Sequence, residues 1–462
     1  MSLDERQTEP AVNWPALVAV GVAILMTTAD LMIVQTALPS MERTFGIGPD
    51  VGQWLILAYA GATIALQMPA GRWLDSVSPR HGYLLATGGF MVASVLCAIA
   101  PNAWFLIGAR LVQGAFGALL GALVPAIIVS SAPPERRGRA MGIVGTLGPL
   151  GAVAGPVLGG ILLAWWDWRG IFLVNVPVGL AAMFLGGRAI SAKGNRITVP
   201  GIGFARETLA AVIAGGSLFT ALTLASSTHP RYGLAAAALL VTVLAGAWWY
   251  REPGGNALLG LLGVWPMGVI LLGSFGVNII GGTLNYLPPF TLDEMIHLPV
   301  SQWGLVLLSM PLGLAIASNL GGFVTDWLGA ARTTIIGACV ILLGTALLAV
   351  APAWGGAWGF AARLLLTGLG MGMYHVPAQT LFMTQAPAEL RATAGAAVNL
   401  LRNLGFSVGP ALATLLWYLT GSGPGDGLKA SYGIPVTAAL VTLTTTVWLV
   451  RRASQPVPVP AS

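Results

Sequence analysis

Gly71, Asp75 and Arg80 close one apolar run of this chain, and Gly322, Asp326 and Arg332 close another, 251 to 252 residues further on. Arg110 returns as Arg363, Arg139 as Arg391, and Gly155-Pro156 as Gly409-Pro410, displaced by 252 to 254 residues. So many landmarks at one offset mark a duplicated unit. In a chain made of bilayer-length apolar runs, duplication gives two similar bundles with a cleft between them, the geometry used for alternating access. The repeat points to a carrier.

The apolar runs themselves exclude a water-soluble core. The chain is 56% hydrophobic and 8% charged, with a mean hydropathy of +0.81, against roughly 25% charged residues in an ordinary soluble domain. Runs long enough to cross about 30 Å of hydrocarbon fall near 15–38, 52–71, 82–100, 104–131, 138–163, 169–188, 203–226, 232–250, 264–290, 302–325, 332–351, 357–381, 392–420 and 432–450. The spacing predicts an all-α polytopic membrane protein with fourteen crossings. Residues 14–190 form one six-helix bundle, 264–451 its repeat, and 200–251 an inserted pair that matches neither.

Lys and Arg are retained on the cytoplasmic side of a polytopic protein. With the N-terminus inside, most basic residues fall on that side, among them Arg72, Arg80, Arg139, Arg188, Lys193, Arg196, Arg332 and Arg391. Arg43, Arg169, Arg231 and Lys429 fall outside, and Arg110, Arg363 and Arg402 within the spans. This predicts a multi-pass membrane protein with both termini cytoplasmic. The net charge of +6 is then a topological bias and calls for no nucleic acid. The leader with Asp4, Glu5 and Glu9 lacks a basic start and a cleavage site, so the first run reads as an uncleaved helix. Cys97 and Cys339, both in apolar runs, read as buried packing thiols, with neither metal nor disulfide. No P-loop, His-Glu-x-x-His or Gly-x-Ser-x-Gly element occurs, so the chain does not read as an ATPase or a hydrolase.

Together these landmarks resemble the major facilitator superfamily, in its fourteen-helix drug:proton antiporter branch. Gly71, Asp75 and Arg80 resemble its loop 2–3 signature; Arg110, Gln113 and Gly114 its helix 4 signature; Gly155, Pro156, Gly159 and Gly160 the helix 5 signature associated with antiporters. The branch is carried by Asp30 through Pro39, by Trp54 with Tyr59, and by Trp168 through Asn175 to Pro177. Ser78-Pro79 departs from a usual glycine, and Gln35 from a usual asparagine. The resemblance implies a major facilitator fold, a small-molecule substrate, a monomer in the lipid bilayer, and drive from the proton gradient with no cofactor or metal. It implies a proton-coupled antiporter that exports amphipathic, cationic drugs or toxic compounds. The alternative is an exporter of an endogenous lipid, peptide or metabolite.

Of 16 acidic residues, Asp30 alone lies well inside an apolar run, where an unpaired carboxylate is costly. It is the expected proton carrier, and a lipophilic cation would compete for it. Arg110 and Asp30 lie at similar depth, roughly 9–13 Å from the outer face, so they can meet; burial and pairing then act in opposite directions on the proton. By resemblance, Arg110 with Gln113 assists proton movement. Asp75 with Arg80, and Asp326 with Arg332, read as paired gating loops that place a carboxylate at a helix N-terminus of the opposite half. Gly155, Pro156, Gly159 and Gly160 let their helix kink or pack closely. The expected substrate cleft draws on Asp30, on Asn278, Asn285 and Tyr286, on Tyr374, and on the polar stripe Asn399, Arg402 and Asn403. His375 reads as structural, and Trp54, Tyr59 and Trp303 as interface anchors.

Overall fold

The computed structural model describes residues 12–52, 54–192, 200–225, 232–263, 267–420 and 426–453. Lys193, Arg196 and Arg231, assigned to loops above, lie outside them. The long helices are α1 (Trp14–Phe45), α2 (Trp54–Asp75), α3 (Pro79–Ala98), α4 (Ala103–Ser131), α5 (Arg137–Trp165), α6 (Asn175–Ala189), α7 (Ile202–Ala225), α8 (Tyr232–Arg251), α9 (Pro253–Gly263), α10 (Met267–Phe290), α11 (Ser309–Leu328), α12 (Ala330–Val350), α13 (Gly356–Gln385), α14 (Arg391–Leu419) and α15 (Gly433–Ala453). No strand occurs among the described residues.

Ten helical stretches among the described residues are long and apolar enough to cross a membrane. The helices α5, α7, α13 and α14 are outside that set although they run 29, 24, 30 and 29 residues. For α13 and α14 the reason is visible: they carry Arg363, His375, Asn399, Arg402 and Asn403 along their middles, and a polar residue in a span is affordable only where it faces protein or water. Two expected runs are broken. A short turn, Gly170–Leu173, precedes α6, and Val300–Leu307 precedes α11.

Helices α1–α6 pack on one another, and so do α10–α15. Helix α1 starts at Asn13, whose side-chain oxygen accepts from the Ala16 amide at 3.3 Å while its nitrogen donates to the Ala189 carbonyl at 2.8 Å. One capping residue thereby ties the start of α1 to the end of α6. Gly151, Gly155 and Gly159 of α5 lie against α1: a side-chain carbon at Gly151 would stand 2.9 Å from the Leu25 carbonyl, and one at Gly159 3.3 Å from Thr36. Gly155 and Gly159 of the helix 5 signature, with Gly151, thus form a packing face within one half. Gly160 faces open space, and Pro156 continues the helix.

The two halves meet through α2 with α14, α4 with α14, and α5 with α11. The meeting is concentrated at the end where α2 and α11 finish, here termed the latched end. There Asp75 accepts hydrogen bonds from the backbone amides of Ala392 (2.7 Å) and Thr393 (3.0 Å) and from the Thr393 hydroxyl. These are free amides of the first turn of α14, where the helix dipole also favours an anion. Asp326, the repeat counterpart, lies at the first turn of α5, its carboxylate beside Gly138 and Arg139. Each half caps the other. Glycine is required beside both caps: at Gly71 a side chain would stand 2.5 Å from Ala396 Cβ and 2.8 Å from the Ala392 carbonyl, and at Gly322 2.8 Å from the Gly138 carbonyl. Arg80 and Arg332 do not join these carboxylates. Arg332 is exposed, and the cations near Asp75 and Asp326 are Arg72 and Arg139.

The insert is a hairpin of α7 and α8 that leans on α2 through α7. Helix α8 is largely exposed, as befits a lipid-facing element. Helix α9, which follows it, fills a stretch the hydropathy pattern reads as loop. Glu207 of α7, 1% exposed, is ion-paired with Arg72 one turn before Asp75, and Glu252, 6% exposed, pairs with Arg206 at 2.8 Å. Glu207 has one oxygen without a partner among the described residues. The pair is therefore asymmetric. Arg72→Ala leaves a buried carboxylate unpaired and is expected to cost about 3–5 kcal/mol; Glu207→Gln leaves an arginine that reaches water and is expected to cost about 1 kcal/mol. Thermal unfolding of the two variants checks the order.

Candidate functional site

The only long-range order that apolar periodicity can impose inside a membrane bundle is small-against-large packing, so a charge in such a core must bring its own partners. Asp30 of α1 does. It is 2% exposed, and its carboxylate accepts from Arg110 Nη1 at 2.6 Å, Gln113 Nε2 at 3.1 Å and Asn175 Nδ2 at 2.7 Å. Arg110, fully buried, also donates to the Leu55 carbonyl at 3.0 Å and to Gln113 Oε1 at 2.5 Å. Ser94 completes the cluster, accepting from Gln113 at 2.8 Å and from Asn175 at 3.2 Å. Cys97 lies against Gln113 at 3.7 Å. Helices α1, α2, α3, α4 and α6 each contribute, and all belong to one half.

Asp30, Arg110 and Gln113 are thus brought together as expected. Asn175, Ser94 and Tyr59 are additions. Asn175 begins α6 just after the break at Val174; the sequence marks it as a polar residue in an apolar run and as part of the Trp168-to-Pro177 stretch, but not as a partner of Asp30. Tyr59, read above as an interface anchor, is 7% exposed, with the Arg110 guanidinium 4.4 Å from its ring centroid. On the far side it is within electrostatic reach of Arg402 from the other half. Towards the end opposite the latches, Trp168, Phe172, Leu55 and Ile33 roof the cluster. Asp30 therefore lies inside its own bundle, behind Tyr59, and does not line the cleft; all three of its donors would have to yield before a cation could reach it.

The repeat is broken in an informative way. Arg363, counterpart of Arg110, donates to the carbonyls of Gly359 and Pro352 at 2.8 and 3.3 Å and to those of Ala351 and Trp354. It ties down the loop between α12 and α13. The stretch equivalent to Asp30 is Gly281-Gly-Thr-Leu284, without an acid. Only the first half keeps the ionisable pair.

Other expected cleft residues separate. Tyr374 is 1% exposed and turned into the second bundle, its hydroxyl over Gly273 and beside Thr446 and Ser274; it is a core residue, because Gly273 leaves room for the ring. Asn278, 6% exposed, donates to the Ser274 carbonyl of its own helix at 2.7 Å and packs against Gly405. Asn285 is exposed and reaches only the Gly281 carbonyl of its own helix, and Tyr286 packs 5.1 Å from Phe290. Asn399 instead crosses between halves, donating to the Gly121 carbonyl of α4 at 2.6 Å, and so forms part of the closure at the latched end. Arg402 is exposed and Asn403 half-buried on α14. Arg402 is within electrostatic reach of Tyr59 on one side and His375 on the other, so it faces the space between the halves. Cys97 is buried, but Cys339 is exposed on α12, because that face of α12 lies outside the bundle.

A helical duplicate joined by reciprocal caps, with a charge cluster in one half, is matched by a family model: that of the Major Facilitator Superfamily covers residues 20–410. The chain belongs to the Major Facilitator Superfamily. Among curated members it is 27% identical over 414 residues to Multidrug resistance protein Stp of Mycobacterium tuberculosis, covering 85% of this chain and 74% of that one. It is 25% identical over 411 residues to Riboflavin transporter RibZ of Clostridioides difficile, covering 86% and 87%. Among solved structures, a bacterial homologue of the iron transporter ferroportin superposes with a TM-score of 0.68 at 14% identity, covering 96% of this chain and all of that one. These place the fold among major facilitator transporters, which are not enzymes.

Proposed function

We propose that this major facilitator protein is a proton-coupled antiporter that exports amphipathic compounds across a bacterial inner membrane by alternating access. The observation that carries the reading is the sealed Asp30–Arg110 pair with Gln113 and Asn175, an ionisable pair held by one half alone. Relatives named for multidrug resistance support export. The latched end, rich in Arg72, Arg80, Arg139 and Arg391, is assigned to the cytoplasm together with both termini. On this assignment the structure is closed inwards, and α5, α7, α13 and α14 bring the crossings to fourteen.

Protonation of Asp30 removes the charge that holds Arg110, Gln113 and Asn175 in place. Arg110 then loses its counter-charge while keeping the Leu55 carbonyl and Gln113 as acceptors, and its guanidinium lies against Tyr59, so the rearrangement is felt at the cleft wall. The two caps at Asp75 and Asp326 are the contacts that must break for the inward-open state. The second reading, an exporter of an endogenous lipid, peptide or metabolite, is favoured by a cleft that presents Arg402 and no carboxylate among the described residues.

The test is proton release from the purified protein on adding substrate, in wild type and Asp30→Asn. Release in the wild type and none in the variant is the expected outcome; equal release from both overturns the assignment. With one proton exchanged for one monovalent cation no net charge moves, and the drive is about 1.36 kcal/mol per pH unit. A neutral cargo adds about 2.3 kcal/mol per 100 mV. Vesicle uptake with and without a potassium–valinomycin clamp separates the two.

A further inference from the structure

Three arginines lie within the spans, and the protein satisfies two of them. Arg110 has Asp30, and Arg363 has a set of backbone carbonyls. Arg402 has no hydrogen bond or ion pair among the described residues. It sits on α14 about 17 Å from the start of that helix at 1.5 Å per residue, near the middle of the bilayer, where an arginine is among the most costly residues to hold. It is exposed, yet its electrostatic neighbours come from both halves: Tyr59 of α2 and His375 of α13. Asn403, next along the helix and half-buried, offers an amide without a partner among the described residues.

A cation held at that depth without a carboxylate needs its counter-charge from elsewhere. The one acid at comparable depth, Asp30, is committed to Arg110, Gln113 and Asn175 behind Tyr59. A cationic cargo would meet Arg402 as a like charge in a low-dielectric cleft. An acidic group would meet a planar fork of donors with no competing partner.

We propose that Arg402 is the binding group for an acidic headgroup, so that the cargo is an amphiphile carrying a carboxylate, sulfonate or phosphate on an apolar body. This rests on the exporter reading for its direction but not for its chemistry. It also changes the energetics: one proton entering as one monoanion leaves moves two positive charges inwards, and an inside-negative potential drives the exchange strongly. Exchange for a monovalent cation would be insensitive to voltage.

Equilibrium binding is measured in nanodiscs with no gradient, using three naphthyl probes of equal bulk: a carboxylate, its methyl ester and a trimethylammonium. Wild type, Arg402→Gln and Arg402→Lys are compared. In wild type the carboxylate is expected to bind at least about tenfold more tightly than the ester, in line with one charge-assisted hydrogen-bonded contact. Arg402→Gln is expected to abolish that preference, and Arg402→Lys, which keeps the charge and loses the fork, to retain part of it. Nanodiscs of phosphatidylcholine alone set the baseline; displacement of the carboxylate by added phosphatidylglycerol in wild type but not in Arg402→Gln assigns the acidic group to a lipid headgroup, and no displacement assigns it to a water-borne amphiphile. Preference for the trimethylammonium, or a carboxylate preference unchanged in Arg402→Gln, overturns the proposal. The Asp30→Asn proton-release test is independent: carboxylate preference without proton release sinks the antiporter reading alone, and proton release triggered by the ammonium probe sinks this one alone.

Discussion

Asp30→Asn is expected to lower the stability of the protein by about 3–5 kcal/mol, the cost of removing one partner from a buried ion pair. The penalty falls on Arg110, which is fully buried and already has Nη2 without a partner among the described residues. After the substitution it keeps the Leu55 carbonyl, Gln113 and one amide oxygen as acceptors but has no counter-charge, and the new amide nitrogen faces a donor among Arg110, Gln113 and Asn175. The double variant Asp30→Asn with Arg110→Gln removes both charges and is expected to recover most of the loss while remaining inactive in proton release. Denaturant or thermal unfolding in detergent reads the cycle. A single variant within about 1 kcal/mol of wild type would mean that the pair is not held dry as described. The sequence of effects separates stability from function: the double variant folds, and only the chemistry is gone.

The second large effect belongs to the latches. Asp75→Asn and Asp326→Asn replace a carboxylate facing helix amides by a neutral group that still fits. A charge at a helix N-terminus is worth up to about 2 kcal/mol when partly buried, so each substitution is expected to favour opening of the latched end by up to about thirtyfold, and the pair by more than either alone. Ala396, fully buried against Gly71, reports this directly. A cysteine placed there, with Cys97 and Cys339 replaced, is expected to react with maleimide at least about tenfold faster in the latch variants. Asp75→Glu, which keeps the charge, is the control. Unchanged labelling in the double latch variant would show that the caps do not set the balance between the two states.

The repeat, the helical class and the meeting of Asp30 with Arg110 and Gln113 were legible because charges and offsets stand out against an apolar background. The direction in which a side chain points was not. In a bilayer both the lipid face and the core face of a helix are apolar, so periodicity does not mark the buried side. Tyr374 illustrates the consequence: it turns into the second bundle rather than towards the cleft. Arg363 has the sequence position of Arg110 but not its role, since the difference lies in a glycine pair on α10 and in loop carbonyls that only the fold brings near. Asn175 was hidden by a helix break, and the contribution of Arg72 by a partner, Glu207, supplied from the insert far along the chain.

The ionisable cluster draws every side chain from helices α1–α6, while Arg402 hangs from α14 in the other bundle. On the proposed function, energy conversion and cargo choice are thereby encoded in separate stretches of the gene. Mutations accumulating in the second stretch can alter what is carried without rebuilding the engine in the first, so lineages descended from such a protein are free to diversify in diet of compounds while sharing one power source.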